Sequence, residues 1–307
     1  MVELQWSDEL DAATTARVRE LLLAARVSDG RPDLSEDGSL PGEFAGGRHL
    51  LAIEAGELAG YAHLDTAGDA FGRQVAELIV HPDLRRRGIA TELTGALIAA
   101  AGSGSGDTLR VWSHGDHPAA AALAERAGFR RQRELLVMRA APEDPLRQWP
   151  QTPLPRGLNV RAFVPGKDDK ALLDVNARAF AWHPEQGALS LADFQAEQAE
   201  GWFDPDGFLL AEDEGGNLAG FHWTKIHPPN PYRFGGTAVG EVYVLGVDPA
   251  AQDGGLGKAL TIAGLRYLIS RGLRQVILYV EADNHAAVAV YRKLGFTVHE
   301  TDVQYGR

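Results

Sequence analysis

The chain contains no cysteine, which excludes disulfides, thiolate-ligated metals and thiol nucleophiles together. It also lacks a long apolar run. The short Ala96–Ala101 stretch is the longest candidate, well below the ~18 residues that suggest a membrane-spanning helix. Basic residues are scarce: 30 Lys and Arg stand against 42 Asp and Glu, a net charge of −12. That balance argues against a nucleic-acid partner, because such binding draws its affinity from neutralised phosphates. Residues 1–10 carry Glu3, Asp8 and Glu9 without a basic-then-apolar signal pattern, so a cytoplasmic protein with no membrane partner is expected. His114-x-x-His117 does not offer ligand spacing on one helix face with a supporting carboxylate, and no metal is expected.

What the chain does have is length and repetition. Its 307 residues predict about two domains, and 45% hydrophobic residues are enough for sizeable cores. Residues 141–157 hold five prolines and read as a semi-stiff linker. The expected domains are therefore 1–140 and 158–307. Compared with each other, the halves share a register. Leu78-Ile79-Val80-His81-Pro82 aligns with Leu245-Gly246-Val247-Asp248-Pro249 at an offset of 167. The offset carries Arg85, Gly88 and Ala90 onto Gln252, Gly255 and Gly257, Trp112 onto Tyr279, and Gly128-Phe129 onto Gly295-Phe296. Upstream, Leu58-Ala59-Gly60-Tyr61 matches Leu218-Ala219-Gly220-Phe221 at 160. About seven extra residues in the second half are therefore expected in the Pro/Gly-rich loop Pro228–Gly236. The pattern is a tandem duplication.

Each half reads as an early helix, two strands joined by a tight turn, and a third strand running into a Gly-containing loop. A helix, a β-rich run, a further helix and a last strand follow. Strands mixed with helices in this order predict an α+β (mixed α/β) domain, repeated. The loop Gln252-Asp253-Gly254-Gly255-Leu256-Gly257-Lys258 lies between a strand and a helix. Backbone N–H groups there can approach an anion, and the helix start adds partial positive charge, a combination suited to a diphosphate. It is not a Walker loop, since Ala259 follows Lys258, nor a dinucleotide fingerprint, since the last glycine is missing. Taken alone, such glycines are as readily a structural turn.

The first half presents Arg85-Arg86-Arg87-Gly88-Ile89-Ala90 at the equivalent place. The shared (Arg/Gln)-x-x-Gly-x-(Gly/Ala) pattern resembles the pyrophosphate loop of the GNAT superfamily, the acyl-CoA-dependent N-acyltransferases. Asn284-His285-Ala286-Ala287-Val288-Ala289-Val290-Tyr291-Arg292-Lys293-Leu294-Gly295-Phe296 is similar to a second block of that family. The resemblance implies two tandem GNAT-like domains with acetyl-CoA as acyl donor. Its thioester carbonyl would meet backbone N–H groups near Leu245, Gly246 and Val247. The diphosphate would meet Gln252, Asp253, Gly254, Gly255, Leu256, Gly257 and Lys258, with Asn284, His285, Ala286, Ala287, Val288 and Ala289 beside it. A second molecule in the first half would meet Leu78, Ile79 and Val80, then Arg86, Arg87, Gly88, Ile89, Ala90 and Thr91.

The resemblance also implies roles for Tyr291, near the leaving sulfur, and Glu241, as base toward the amine. Tyr291 falls in register with Ala124, so chemistry is expected in the second half alone. On its own residues a helical tyrosine packing in a core is the simpler reading of Tyr291, and a solvated glutamate at a strand start is an equally open reading of Glu241. Further blocks resemble one tandem branch of the superfamily: His183-Pro184-Glu185-Gln186-Gly187, Gly201 through Gly207, and Gly220-Phe221-His222-Trp223-Thr224-Lys225. That branch acetylates the cysteinyl amine of a cysteine–glucosamine–inositol conjugate. This resemblance implies Glu36, Glu185, Lys225, Glu241 and Tyr279 as substrate contacts. For Lys225 an ordinary exposed lysine, and for Tyr279 a packed strand tyrosine, stay open. Asp204 and Asp206 read as turn residues. A self-sufficient monomer acting on a small amino-thiol is expected. The alternatives are a GNAT enzyme for another small amine or peptide N-terminus, and a non-catalytic acyl-CoA sensor.

Overall fold

The computed structural model describes residues 2–32, 34, 39–69, 71–102, 108–183, 186–252 and 254–307. Along the chain it places β1 (Glu3–Ser7), α1 (Ala12–Asp29), β2 (Arg48–Glu54), β3 (Glu57–Asp65), β4 (Gln74–Val80), α2 (Ile89–Ala101), β5 (Leu109–Ser113), α3 (Pro118–Arg126) and β6 (Arg130–Ala140). The second copy follows as α4 (Pro145–Gln148), β7 (Leu158–Ala162), α5 (Asp169–Ala179), α6 (Leu191–Ala199), β8 (Phe208–Asp213), β9 (Leu218–His227), β10 (Val239–Val247), α7 (Leu256–Ser270), β11 (Val276–Glu281), α8 (His285–Lys293) and β12 (Thr297–Gly306). This is the repeated mixed α/β order expected from the sequence.

Packing divides the chain into Met1–Glu134 with Thr301–Arg307, and Leu135–Glu300. The division differs from boundaries drawn at 140 and 158. Leu135–Ala140 of β6 pairs antiparallel with β11 of the second copy. Val303–Gly306 of β12 pairs with Ser113–Arg110 of β5 in the first. The C-terminal part of each copy's last strand, from Leu135 in β6 and from Thr301 in β12, therefore belongs to the other copy's packing unit. The proline-rich stretch is not a free linker either. Asp144 caps α4, and Trp149 is fully buried with its indole N–H donating to Leu294 O at 2.9 Å.

Within each unit the central strands follow one scheme. In the first, β4 runs antiparallel to β3 and parallel to β5. In the second, β10 runs antiparallel to β9 and parallel to β11. Both parallel ladders are three residues long. Gln74, Val75 and Ala76 face Leu109, Arg110 and Val111, while Gly240, Glu241 and Val242 face Val276, Ile277 and Leu278. β10 continues to Val247 and β4 to Val80, so the strands splay beyond the ladder. One backbone edge of each then has no neighbour in the ladder.

The copies differ at the splay. The β3–β4 register is continuous, whereas β9–β10 carries a bulge at Tyr243, between the pairs Val242–Thr224 and Val244–Trp223. Of the seven extra residues, one is therefore this bulge and not part of the loop. Nine residues separate the paired Asp65 and Val75, and fifteen separate Lys225 and Glu241, which accounts for the other six. The largest apolar cluster of the second unit packs α7 and α8 against one sheet face through Val242, Leu278, Val280, Ile262, Leu265, Val288 and Phe296. Phe163, Phe194, Phe208, Phe221 and Trp223 form another cluster.

Candidate functional site

Strand alternation sorts the predicted residues between two faces. Val242 and Leu278 join the helix-covered core, so their neighbours Glu241, Ile277 and Tyr279 point the other way. Lys225 pairs with Glu241, and His227 lies two residues further along β9 on the same face. The structure thus brings Lys225, Glu241 and Tyr279 to one face beside the splay. Glu241 is only 5% exposed, which removes the solvated reading for this residue. Its Oε2 lies 2.5 Å from His227 Nε2, and the imidazole nitrogen donates, since a carboxylate only accepts.

Lys225 is not an ordinary exposed lysine. Its Nζ sits 4.1 Å from the ring centre of Trp202 and 4.8 Å from that of Tyr243. A cation held against two aromatic faces is attracted by their quadrupoles. The Tyr243 hydroxyl donates to Glu197 Oε2 at 3.2 Å. Burial raises the Glu197 carboxyl above its usual range, against the opposing Tyr243 hydrogen bond. Burial, then the Glu197 and Glu241 charges, raises the Tyr243 phenol as well. Tyr279 hydrogen-bonds buried Arg233, whose guanidinium also donates to Glu300 at 2.8 Å.

Tyr291 sits on the opposite face, buried among the apolar residues of the α7–α8 core and edge-on to Phe296 at 5.9 Å. Burial pushes its phenol up to about 12, so it stays protonated through neutral pH. Glu241 and Tyr291 therefore lie on opposite faces of the sheet.

The predicted cofactor residues gather at the carboxyl ends of the parallel strands. Leu245, Gly246 and Val247 lie on β10 past the ladder. A Cβ on Gly246 would come within 2.5 Å of the Phe221 ring, so only glycine lets this stretch lie flat on the aromatic cluster. Gly255, at φ 79°, starts α7 with no side-chain cap. Among the described residues no side chain caps the first N–H groups of α7, as an anion site requires. Gly254, Leu256, Gly257 and Lys258 surround that start, with Gln252 just before it. Asn284 caps α8 by accepting from Ala287 N–H, so its side chain is spent on the helix; His285, Ala286, Ala287, Val288 and Ala289 form the first turns. Glu36, Glu185 and Asp253 lie outside the described residues.

The first unit repeats the anion-type start and little of the rest. Leu78, Ile79 and Val80 lie on β4, and α2 begins after Gly88, at φ 89° and without a side-chain cap. Arg86 is left-handed at φ 67°, and Arg87 pairs with Glu54. Ile89 is buried, while Ala90 and Thr91 continue the first turn. The ladder registers place Val75, not Gln74, in the position of Glu241. A uniform offset of 167 would have aligned Gln74 there; the Tyr243 bulge shifts the correspondence by one. Ala124 stands where Tyr291 does. Past the ladder, His114 lies 3.4 Å from Glu77 and 3.3 Å from Asp302. Burial opposes its charge, but the two carboxylates outweigh it and push the imidazole up to about 10.

His227, Trp202, Tyr243, Glu197 and Arg233 were missed as site residues in the sequence reading. Period-2 alternation along Lys225-Ile226-His227 could have found His227. The others come together only through tertiary packing. Among the described residues no group of three or more His, Asp or Glu side chains is arranged to hold a metal ion, and no helix is long and apolar enough to cross a membrane.

Comparison with known proteins places the repeated fold in a family. The acetyltransferase (GNAT) family model matches residues 15–129 and 173–296, once in each copy. A mycothiol acetyltransferase of Saccharomonospora viridis is 61% identical over 98% of both chains. One from Amycolatopsis mediterranei is 60% identical over 99% of this chain and 98% of its own. Among solved structures, a tandem GNAT protein from the clavulanic acid biosynthesis pathway superposes with a TM-score of 0.71 at 20% identity, covering 100% of this chain and 98% of its own. A GCN5-related N-acetyltransferase from Sphaerobacter thermophilus gives 0.69 at 23%, covering 99% and 95%. Both sequence copies, their shared fold and nearly full-length relatives lead to one assignment: the chain belongs to the acetyltransferase (GNAT) family, as a tandem member of its mycothiol acetyltransferase group.

Proposed function

We propose that the protein moves the acetyl group of acetyl-CoA onto the cysteinyl amine of a cysteine–glucosamine–inositol conjugate, giving mycothiol. The substrate assignment is supported by the two mycothiol acetyltransferases at 60% identity or more over nearly the whole chain. The observation that carries the chemistry is Glu241, a buried carboxylate at the middle rung of the three-residue β10–β11 ladder, one residue before the splay.

The unpaired edge of Leu245–Val247 supplies N–H groups to the thioester carbonyl, and the uncapped start of α7 receives the diphosphate. An α-amino group titrates near ~7.7–8.0 and is mostly cationic at neutral pH. Glu241 takes its proton, directly or through one water. The amine nitrogen then bonds to the acetyl carbon, the carbonyl oxygen gathers charge under the β10 N–H groups, and the C–S bond breaks; CoA departs as its thiolate and the second proton shed by the nitrogen as the amide forms passes to solvent water. Tyr291 hydrogen-bonds the departing sulfur. A phenol raised to about 12 is a poor proton donor to a thiolate whose conjugate acid is near ~8.5, so this tyrosine stabilises the leaving group mainly as a hydrogen-bond donor. The first unit, with Val75 and Ala124 at the two chemical positions, does not catalyse. Its repeated glycine-start helix leaves it the capacity to hold a second acyl-CoA.

Replacing Glu241 by Gln tests the reading. Turnover should fall by roughly 10²–10⁴-fold, the usual value of a positioned general base, with acetyl-CoA affinity unchanged. Undiminished turnover in that variant overturns it.

A further inference from the structure

Glu241 enters the site with one of its two oxygens already engaged. Its Oε2 is 2.5 Å from His227 Nε2, and among the described residues His227 is the one side chain at hydrogen-bond distance from it. The remaining polar groups of this face are committed elsewhere. Lys225 lies in the Trp202–Tyr243 slot, the Tyr243 hydroxyl donates to Glu197, and Arg233 holds Tyr279 and Glu300. The Glu241 side chain is 7% exposed and that of His227 27%, so the imidazole reaches from the open side of the face to the buried carboxylate.

We infer that His227 is a positioning residue for Glu241. It donates Nε2–H to Oε2, fixes the plane of the carboxylate, and leaves Oε1 to meet the incoming amine or its water. A base must lie within about 2.6–3.2 Å of the proton it removes. A glutamate has freely turning terminal torsions, and without a tether its free oxygen samples orientations that miss the amine. The first unit supplies an independent argument. There Val75 stands in Glu241's register, and β3 ends at Asp65, the counterpart of Lys225, whereas β9 runs two residues further to His227. The carboxylate and the strand extension that carries its partner occur together in one copy and are absent together from the other. The inference rests on Glu241 acting as the base.

Three variants of the full chain test it: His227→Ala, His227→Gln and Glu241→Gln. Each is assayed for kcat, for KM of the amino-thiol acceptor and for acetyl-CoA affinity, with a thermal melt to verify folding. His227→Ala should lower kcat by roughly 10–100-fold, the scale of a misplaced catalytic group, and leave both KM for the acceptor and acetyl-CoA affinity within about twofold. The amide nitrogen of His227→Gln reaches the same place as Nε2 and should restore most of the lost kcat. Wild-type kcat in His227→Ala overturns the inference. So does a raised acceptor KM at constant kcat, which would mark a substrate contact, or a folded His227→Gln as slow as His227→Ala. Full activity in Glu241→Gln removes the base reading itself, and that result is distinct from failure at His227 alone.

Discussion

Val75 and Glu241 occupy one register position in two copies of one fold, and so do Ala124 and Tyr291. On the proposed reading, two side chains rather than the architecture assign the chemistry to one copy. Tyr291→Phe removes only a hydrogen-bond donor. Turnover should fall about tenfold, near 1.4 kcal/mol, and the pH–rate profile should keep its shape between pH 6 and 9, because the phenol at about 12 does not ionise there. A moved basic limb would contradict this role. His222 offers a stability test. It is fully buried, its Nδ1–H donates to Leu260 O at 2.8 Å, and burial pulls the imidazole down to about 4. The unfolded chain therefore binds the extra proton first, and stability declines as pH falls from about 6.5 toward 4. The full effect is about 3 kcal/mol. Urea midpoints measured at pH 7 and pH 4.5 should reveal the loss.

At the scale of elements, most helices and strands were legible because apolar periodicity and capping residues mark them locally. The order of helices and strands in each half is the one the pattern puts there. What escaped is set by tertiary contact. Prolines at 141–157 read as a linker, yet Trp149 gains a fully buried slot and a carbonyl partner there. The Tyr243 bulge is one residue long and leaves no compositional mark, so the pairing of Val75 with Glu241 could not be read from an offset. Reciprocal sizes also appear only in the fold. Gly264 admits the His222 ring against α7, where the first copy has Leu97 and Ala62. The double variant His222→Ala/Gly264→Leu should therefore fold and lose the acid-side decline, whereas His222→Ala alone leaves a cavity and costs a few kcal/mol. Gly255 acts through its backbone. Among the described residues no neighbour crowds a Cβ there, but φ 79° strains any L side chain by about 1–2 kcal/mol. Gly255→Ala should weaken acetyl-CoA binding about tenfold in an equilibrium titration, with little change in kcat at saturation.

For the whole molecule, the duplication was legible from register alone, and with it the mixed α/β class. The partition was not, because strand exchange depends on which β edges meet and not on sequence order. Leu135–Ala140 pairs with β11 in the second unit, and Thr301–Arg307 belongs to the first. A fragment cut at 158–307 therefore loses the β11 partner strand together with Trp149. It should melt far below a fragment of 135–300, since deleting a buried Trp side chain alone costs about 3–5 kcal/mol. Equal melting temperatures would contradict the partition.

The central claim, that this tandem chain acetylates the cysteinyl amine, is tested most directly by mass spectrometry of the purified protein with acetyl-CoA and the cysteine–glucosamine–inositol thiol. The substrate's own sulfhydryl would mask CoA release in a thiol assay, so the product itself must be read. The account predicts one added acetyl group, a product that resists amine reagents and still reacts as a thiol, and no such product with Glu241→Gln. Failure to acetylate this substrate, with another amine acetylated in its place, would contradict the claim while leaving the family assignment intact.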